Sequence, residues 1–327
     1  IIRKMPAVET LGSTTVICSD KTGTLTQNQM TVATIVAGGE HYAVSGSGYA
    51  PEGTITANDD HGQDLTERHA LQECLRAGLA CNDSRLVQHG HDHTVEGDPT
   101  EGALLVVAAK ANLSADRIHG DLPRLDAIPF ESELQYMATL HDQGADRPRL
   151  AYMKGSVEAI LARCSSAWDA TGKPGPLDHK AVTETVVRLA ADGLRVLAFA
   201  RKELPAGTHA LSHDDVAADL HFLGLQAMID PPRPEAIAAV ATCQAAGIRV
   251  KMITGDHAIT AAAIATRLGI EGAAHGDGRP AEAITGAELE RISDADLPET
   301  ADRVSVFARV APEQKLRLVR ALQTRGN

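Results

Sequence analysis

The chain carries Asp20-Lys21-Thr22-Gly23-Thr24-Leu25-Thr26 directly after an apolar run, Val16-Ile17-Cys18-Ser19. The apolar run predicts a buried β-strand, and Gly23 predicts a tight turn just beyond its end. Ligands of open α/β sheets bind outside the carboxyl ends of the strands. We therefore expect Asp20 to lie at the ligand-binding edge of a sheet.

The residues of this stretch suit a carboxylate that attacks phosphorus. Asp20 can act as the nucleophile and become an acyl phosphate. The N–H groups of the turn and the hydroxyls of Thr22 and Thr24 can hold the phosphoryl oxygens, while Lys21 adds positive charge. A merely structural exit from a strand would not need this order of residues. The stretch therefore predicts phosphoryl transfer to Asp20.

Composition argues against several classes of function. The chain has 327 residues, enough for two domains, and a formal charge of −12. This acidic balance, without a run of lysines and arginines, argues against binding to nucleic acid or to anionic lipid. Only nine aromatic residues are present, too few for a platform that stacks on bases. The five cysteines lack the spacing of zinc or redox sites and indicate reduced thiols in a cytosolic setting.

The chain has no sequence signal for a membrane helix or for secretion. No apolar run reaches the roughly 18 residues that a membrane helix needs, so we expect this stretch to be soluble. It opens with Ile1-Ile2-Arg3-Lys4-Met5-Pro6, which contains neither an initiating methionine nor a secretory signal. We therefore expect a monomeric piece of a longer protein.

Regular alternation of helices and strands begins at Asp230. The hydrophobic pattern predicts helices over 235–246, 258–268 and 312–324, and strands over 248–253 and 304–307. This alternation predicts a doubly wound parallel sheet whose first strand lies near residue 16. The heterogeneous stretch in between must then be an insertion. We predict one domain split over 1–33 and 229–327, and a second domain inserted over 34–228.

Two further segments carry groups that suit phosphate. Met252-Ile253-Thr254-Gly255-Asp256 ends a predicted strand with a hydroxyl, a glycine and a carboxylate, as anion sites do, although Asp256 is alternatively a helix N-cap. Phe307-Ala308-Arg309-Val310-Ala311-Pro312-Glu313-Gln314-Lys315 starts a helix at its proline. Lys315 then lies about one turn in, where phosphate is favoured; a solvated lysine is the alternative.

These segments resemble the P-type ATPases, ion pumps that phosphorylate themselves on the aspartate of DKTGTLT. The segment ending at Lys315 is similar to the family's FAR-x-x-P-x-x-K, which adds Arg309 to the expected nucleotide contacts. Asp230-Pro231-Pro232-Arg233-Pro234 resembles the family's DPPR segment. Its prolines stiffen the chain, so we interpret Asp230 and Arg233 first as a hinge and second as nucleotide contacts. The stretch from Thr26 to Val32 is similar to the calcium-type branch.

The resemblance implies a fold and a set of partners. The fold is α/β: a haloacid-dehalogenase-like, doubly wound parallel sheet forms the phosphorylation domain, and an α+β nucleotide-binding domain on an antiparallel sheet is inserted into it. The implied phosphate donor is ATP, and the implied metal is Mg²⁺ at Asp20 and Thr22. The parent chain would add actuator and transmembrane domains, with this part on the cytoplasmic side of a membrane. The transported cation would be Ca²⁺ by analogy.

Four inserted segments resemble the family's nucleotide-binding stretches. Asp98 and Glu101 stand at the start of a helix, where the helix dipole alone would explain them, and Glu101 could also accept the adenine amino group. Phe130 resembles the phenylalanine that stacks on adenine, although Ser132 replaces the arginine that commonly follows two residues later. Lys154-Gly155 matches the KGxxE segment, and Arg195 matches the arginine that meets the nucleotide phosphates. The alternatives are a core aromatic for Phe130 and a solvated lysine for Lys154.

One expected segment is missing from this stretch of chain. The family's GDGxND, which supplies carboxylates to Mg²⁺, would follow the helix ending near Leu322, and the chain stops at Asn327. We therefore expect this piece to bind ATP weakly and to phosphorylate itself poorly or not at all. A soluble phosphatase of the haloacid-dehalogenase type, or an ATP-binding module without turnover, are the alternatives.

A histidine-rich segment suggests a metal site. His89-Gly90-His91-Asp92-His93 would place alternate histidines on one face of an extended segment, as zinc ligation needs. Its turn-forming residues favour an exposed loop instead.

Overall fold

The computed structural model of the chain describes residues 14–58, 65–90, 92–270 and 282–326. Within it the chain divides into two units. The first unit consists of three segments of the chain: the residues up to Asn28, Ala190–Gly193, and the residues from Asp230 onward. The second unit comprises Gln29–Leu189 and Leu194–Ile229. The second unit is thus an insertion in the sequence of the first.

Sixteen strands are found in the described residues: β1 (Val16–Asp20), β2 (Thr31–Ala37), β3 (Glu40–Val44), β4 (Ile55–Ala57), β5 (Arg85–His89), β6 (Asp92–Glu96), β7 (Arg124–Glu131), β8 (Tyr136–His141), β9 (Arg149–Gly155), β10 (Cys164–Trp168), β11 (Pro174–Gly175), β12 (Arg195–Leu204), β13 (Leu220–Ile229), β14 (Arg249–Ile253), β15 (Ala283–Thr285) and β16 (Val306–Ala308).

Ten α-helices are found there: α1 (His69–Ala80), α2 (Pro99–Lys110), α3 (Ala115–Asp121), α4 (Val157–Leu161), α5 (His179–Ala191), α6 (Pro234–Ala245), α7 (Ala258–Arg267), α8 (Gly286–Arg291), α9 (Leu297–Arg303) and α10 (Pro312–Gln323). Short 3₁₀ turns cover Leu65–Glu67 and Asp214–Val216.

The first unit is built on a parallel sheet with the strand order β1-β14-β16-β15. Helices connect its strands along the chain, as parallel pairing requires. The α/β fold predicted from the sequence is therefore confirmed, with β14, β16, α6, α7 and α10 close to their predicted bounds. Apolar side chains of α8, α9 and α10 pack with Ile253 and Phe307 in one core.

Burial of β1 differs from the expectation. The run before Asp20 was predicted to be buried, but Ile17 is 37% exposed and Cys18 is only partly buried. Among the described strands β1 pairs only with β14, so it lies at an edge of the sheet. An edge strand leaves one side open, which explains the exposure of its apolar residues.

The second unit is built on a large, mostly antiparallel sheet with the order β4-β3-β2-β13-β12-β9-β8-β7. β10 adds to β13 in parallel and also pairs with β11. Helices α1 and α2 pack on this sheet, with Leu71, Leu75, Leu104 and Phe199 fully buried between them. The predicted antiparallel α+β domain is confirmed.

Each unit ties together its own two chain ends. In the first unit Thr26 forms a bridge with Pro232, and the N–H of Gln27 donates to the carbonyl of Pro231 at 3.0 Å. In the second unit β2 and β13 are antiparallel neighbours, with Thr31 opposite Ile229. The chain therefore leaves the first unit and returns to it at neighbouring points.

None of the helices in the described ranges is both long and apolar enough to cross a membrane.

Candidate functional site

The predicted phosphate-accepting residue lies at a sheet edge in the first unit. β1 and β14 run parallel with Asp20 opposite Ile253, so Thr254, the next residue of the chain, follows at the same carboxyl edge of the sheet as Asp20. Thr254 is 1% exposed, and its N–H donates to the carbonyl of Phe307 at 2.9 Å. Its hydroxyl oxygen accepts the N–H of Asp256 at 3.1 Å, which leaves the hydroxyl proton for another acceptor.

Lys315 provides the positive charge next to Asp20. Its ammonium donates to Oδ2 of Asp20 at 2.6 Å, and the two side chains are 36% and 49% exposed. Lys315 is the fourth residue of α10, close to the helix N-terminus as predicted. The carboxylate is therefore reachable from solvent and already faces a cation.

Lys21 holds two other carboxylates. Its ammonium lies 2.5 Å from Oδ2 of Asp256 and 3.9 Å from Oδ2 of Asp230, and its side chain is 7% exposed. Asp256 does not cap the following helix, because α7 starts after His257. The N-cap alternative for Asp256 is thus wrong. In this structure Lys315, rather than Lys21, is the cation paired with Asp20.

The turn after Asp20 is exposed, and Arg233 donates hydrogen bonds to its backbone. Gly23 has a φ of +73°, a conformation that glycine adopts at little cost, and Thr22 and Thr24 are exposed on either side. Arg233 donates from Nε to the carbonyl of Thr26 at 2.9 Å and from a terminal nitrogen to the carbonyl of Gly23 at 3.3 Å.

Asp230 adds a further hydrogen bond to the end of this turn. Its Oδ2 accepts the hydroxyl proton of Thr26 at 2.6 Å. Asp230 and Arg233 therefore both contact the first unit's own chain, and their roles as a hinge or as nucleotide contacts stay predictions.

Arg309 also makes its visible contacts within the first unit. Its φ of +51° is unusual for a residue with a side chain. Its N–H donates to the carbonyl of Asp256 at 3.0 Å, and its guanidinium contacts the His257 ring. The turn after β16 is thereby fastened to the Thr254–Asp256 turn; no nucleotide contact follows from this geometry.

A Mg²⁺ ion fits this edge only with few protein ligands. The described residues contain no cluster of three or more His, Cys, Asp or Glu side chains that could hold a metal. Asp20 offers its second carboxylate oxygen beside the one paired with Lys315, and Thr22 is exposed, whereas the Asp256 carboxylate is paired with the buried Lys21. Mg²⁺ keeps several waters and is often held by one or two carboxylates, so these oxygens fit it.

A cavity of about 350 Å³ lies in the second unit, at the end of β9 and the start of α2. All six nucleotide-binding residues predicted in the insertion line it, namely Asp98, Glu101, Phe130, Lys154, Gly155 and Arg195. The sequence separations among them reach almost one hundred residues. Only the fold brings them together, so the shared cavity is independent of the motif matches.

Lys154 and Glu101 form the polar floor of this cavity. Nζ of Lys154 lies 2.5 Å from Oε1 of Glu101 and also donates to the carbonyl of Cys81. The two side chains are 8% and 15% exposed. Lys154 is therefore not a solvated lysine. Burial raises the pKa of the Cys81 thiol, so this cysteine stays neutral beside the ion pair.

Asp98 and Arg195 lie at the N-terminus of α2. The Asp98 carboxylate accepts the N–H groups of Thr100 at 2.7 Å and Glu101 at 3.2 Å, so it is the helix N-cap. A terminal nitrogen of Arg195 donates to the hydroxyl of Thr100 at 3.3 Å. Asp98 thus shapes the cavity through the helix start, while Arg195 keeps donors to spare.

Phe130 and Gly155 give the cavity its flat, open side. Phe130 is 57% exposed, so it is not a core aromatic. A Cβ on Gly155 would lie 2.3 Å from the backbone oxygen of Gln135, so only glycine fits there. An exposed ring above a cavity offers a stacking surface for a planar ligand.

Comparison with known proteins agrees with both units. A family model described as P-type ATPase, cytoplasmic domain N, matches residues 70–235, half of the chain. The chain belongs to the P-type ATPases. A second model, for haloacid dehalogenase-like hydrolases, matches residues 158–327.

Curated relatives match over the whole chain. Identity is 54% to the cation-transporting ATPase pma1 of Synechocystis, 49% to a probable cation-transporting ATPase F of Mycobacterium tuberculosis and 39% to a calcium-transporting ATPase of Bacillus subtilis. The chain spans about a third of their length, 36% in each case.

Sequence reasoning missed part of the cavity of this P-type ATPase. Asp83 and Ser84 line it, and both donate to Oε2 of Glu101 at 3.0 Å, through the N–H of Asp83 and the hydroxyl of Ser84. The available signal was the run of polar residues between the end of α1 and β5. Such a run also occurs in ordinary loops, which is why it did not stand out.

The histidine-rich segment forms a hairpin rather than a single extended face. β5 and β6 are antiparallel, with Gln88 opposite His93 and His89 opposite Asp92. Residues directly opposite share a face and neighbours along a strand alternate, so His89 and His93 lie on opposite faces. The prediction that they share one face is wrong, while His91 lies outside the described residues.

Proposed function

We propose that this chain is the catalytic part of an ATP-driven cation pump, in which the second unit binds ATP and Asp20 accepts its γ-phosphate. The observation that carries the proposal is the position of Asp20. Its carboxylate stands at parallel strand ends beside Thr254, is half exposed, and lies 2.6 Å from the Lys315 ammonium. This is the arrangement that an attacking carboxylate requires.

In the proposed reaction an Asp20 oxygen attacks the γ-phosphorus of ATP. The new O–P bond forms as the bond from γ-phosphorus to the β,γ-bridging oxygen breaks, so that ADP leaves with that electron pair. Lys315 neutralises charge on the transferred group, and the Thr254 hydroxyl donates to one of its oxygens. Lys21 keeps the Asp230 and Asp256 carboxylates paired, which limits their repulsion toward the phosphoryl group.

Asp20 and Thr22 would hold Mg²⁺. When bound, the ion offsets negative charge on the phosphoryl oxygens.

In the second unit Phe130 would stack on the adenine ring, and Lys154 with Glu101 would line the base end of the cavity. Arg195 would face the phosphates, because its spare N–H donors suit phosphate oxygens. Gly155 admits the ligand close to the backbone of β9. Asp98 contributes through the start of α2.

The names of the relatives support the wider assignments that we propose. The Synechocystis relative is named for cation transport, and the Bacillus subtilis relative is named for calcium transport. We propose a cation, with Ca²⁺ as the first candidate, carried by a transmembrane part of the parent chain that also has an actuator domain. The chain would then lie on the cytoplasmic side of the membrane. For the phosphorylation and nucleotide-binding domains we propose boundaries close to the predicted 33/34 and 228/229, with the first one moved to 28/29 because β2 belongs to the sheet of the second unit.

The nucleotide assignment is tested by titrating ATP into the wild type and into Phe130→Ala and Lys154→Ala. Matched controls are Leu125→Ala, an exposed apolar residue on the same strand as Phe130, and Lys110→Ala, another buried lysine of the second unit. We expect each cavity variant to weaken ATP about tenfold or more and each control to leave it unchanged. Unchanged affinity in both cavity variants would sink the adenine-pocket assignment.

Phosphorylation is best tested in a full-length context. The matching stretch of the Synechocystis relative is replaced by this chain, and the chimera is exposed to ATP labelled at the γ-phosphate. We expect an acid-stable, hydroxylamine-sensitive label that Asp20→Asn removes while nucleotide binding persists. Label that remains in Asp20→Asn contradicts the assignment. Hydrolysis of a simple phosphate ester without ATP binding would indicate the soluble phosphatase instead.

A further inference from the structure

The Glu101 carboxylate has its two oxygens occupied by different partners. Oε1 accepts from the Lys154 ammonium at 2.5 Å. Oε2 accepts from the Ser84 hydroxyl and from the N–H of Asp83, both at 3.0 Å. A carboxylate has about four acceptor positions, so these three donors leave about one for a ligand in the cavity.

Ser84 is itself held in place. It is 8% exposed, and its N–H donates to Oδ1 of Asn82 at 2.9 Å. Its hydroxyl lies closer to Glu101 than to its other acceptor, the carbonyl of Asp98 at 3.3 Å. A Cβ on Gly97 would come within 2.3 Å of this hydroxyl, so the backbone closes tightly around it. The hydroxyl thus has little freedom to turn away from Glu101.

The loop that carries Ser84 is held by Arg124, a residue distant in sequence. Arg124 of β7 donates to the carbonyl of Asn82 at 2.6 Å and pairs with the Asp83 carboxylate at 2.5 Å. Asn82 in turn donates to the carbonyl of Glu101 at 3.0 Å. The side chain and the backbone carbonyl of Glu101 therefore both accept hydrogen bonds from the same short loop, residues 82–84.

We infer that Ser84 is a positioning residue that makes the cavity select nucleotides with a 6-aminopurine base over those with a 6-oxopurine base. The inference rests on the proposed function. Ser84 and the Asp83 N–H fix one oxygen of Glu101, so the remaining acceptor position has a defined direction. An exocyclic amino group donates to this position. A 6-oxo group turns lone pairs toward the carboxylate instead, and is repelled.

The test compares ATP with ITP, which replaces the exocyclic amino group by an oxygen. Binding of both nucleotides is measured by calorimetry for the wild type, Ser84→Ala, Ser84→Thr and, as control, Ser166→Ala, whose hydroxyl contacts His221 away from the cavity. We expect the wild type to prefer ATP by about tenfold or more. Ser84→Ala should weaken ATP about fivefold to tenfold and leave ITP within about twofold, whereas Ser84→Thr and the control keep the preference.

Equal losses of ATP and ITP in Ser84→Ala would overturn the inference, because a merely structural role weakens both nucleotides alike. So would a wild type that binds ATP and ITP equally. A wild type that binds neither nucleotide instead contradicts the proposed function itself. If Ser84→Ala does not fold, Ser84→Cys keeps nearly the same volume with a much weaker donor, and the same drop in the ATP preference is expected.

Discussion

Substitution of Lys251 by methionine should change how the stability of the first unit depends on pH. Lys251 is 1% exposed on β14, and its ammonium donates to the carbonyls of Asp302 at 2.9 Å and Val304 at 2.7 Å. Burial, with Arg249 nearby, lowers the pKa of Lys251 from 10.5 to about 8, against smaller opposing effects of Asp302 and Cys18. The folded chain therefore gives up this proton more readily than the unfolded chain does.

The sign and size of the effect follow from this difference. Between pH 8 and pH 10.5 the unfolded chain binds more protons than the folded one, so stability rises with pH across that window. Each pKa unit corresponds to about 1.4 kcal/mol, so the full effect is about 3 kcal/mol, of which about 2 kcal/mol develops by about pH 9.5. Below pH 8 the cost of the buried charge is fully present.

The assay is urea unfolding of the wild type and Lys251→Met at about pH 7 and about pH 9.5. Trp168, the single tryptophan, reports on the second unit, so the first unit is followed by the part of the circular dichroism change that Trp168 fluorescence does not share. We expect the wild type to gain about 2 kcal/mol relative to the variant over this interval.

Lys251→Met also loses hydrogen bonds to two backbone carbonyls. That loss lowers the stability of the variant equally at both pH values, so it cancels when the two values are compared. Lys180→Met, at an exposed lysine of α5, is the control and should show no such change. A stability difference between wild type and Lys251→Met that stays constant with pH would refute the reasoning.

Three further substitutions test the two sites. Gly155→Ala brings a Cβ to within 2.3 Å of a backbone oxygen and should abolish ATP binding in a titration, with a lower melting temperature of the second unit. Lys315→Met removes the ammonium beside Asp20 and should slow labelling in the chimera by about tenfold to a thousandfold without weakening ATP; an unchanged rate contradicts its role. Thr26→Val withdraws a donor from the buried Asp230 carboxylate and should cost the first unit about 1–3 kcal/mol in urea unfolding.

Strand ends and long periodic helices could be predicted from the sequence. The apolar runs before Asp20 and Thr254 end in polar, glycine-containing turns, which fixes both residues at the same edge of a parallel sheet. Helices α6 and α10 were marked by proline at their first residue, Pro234 and Pro312. These signals are local, so one sequence carries them.

Short elements and partner choices could not be predicted in the same way. Strand β15 and helix α8 were missed because they have three and six residues, although Thr285 and Glu288 form a capping box that the sequence already carried. The pairing of Lys21 with Asp256 depends on how two turns meet in space. The hairpin that separates His89 from His93 depends on a turn that the alternating pattern conceals.

The bridge between Thr26 and Pro232 has a consequence for how this chain tolerates change. Apart from Ala190–Gly193, the chain between these two points is, for the first unit, one long loop whose ends are already held together. The entropy of closing a loop grows only with the logarithm of its length, so each doubling costs about 0.6 kcal/mol. Insertions and deletions in surface turns of the second unit therefore leave the Asp20 edge almost untouched. The Asp20 edge and the cavity around Lys154 can therefore vary in sequence length and composition nearly independently, although one chain encodes both.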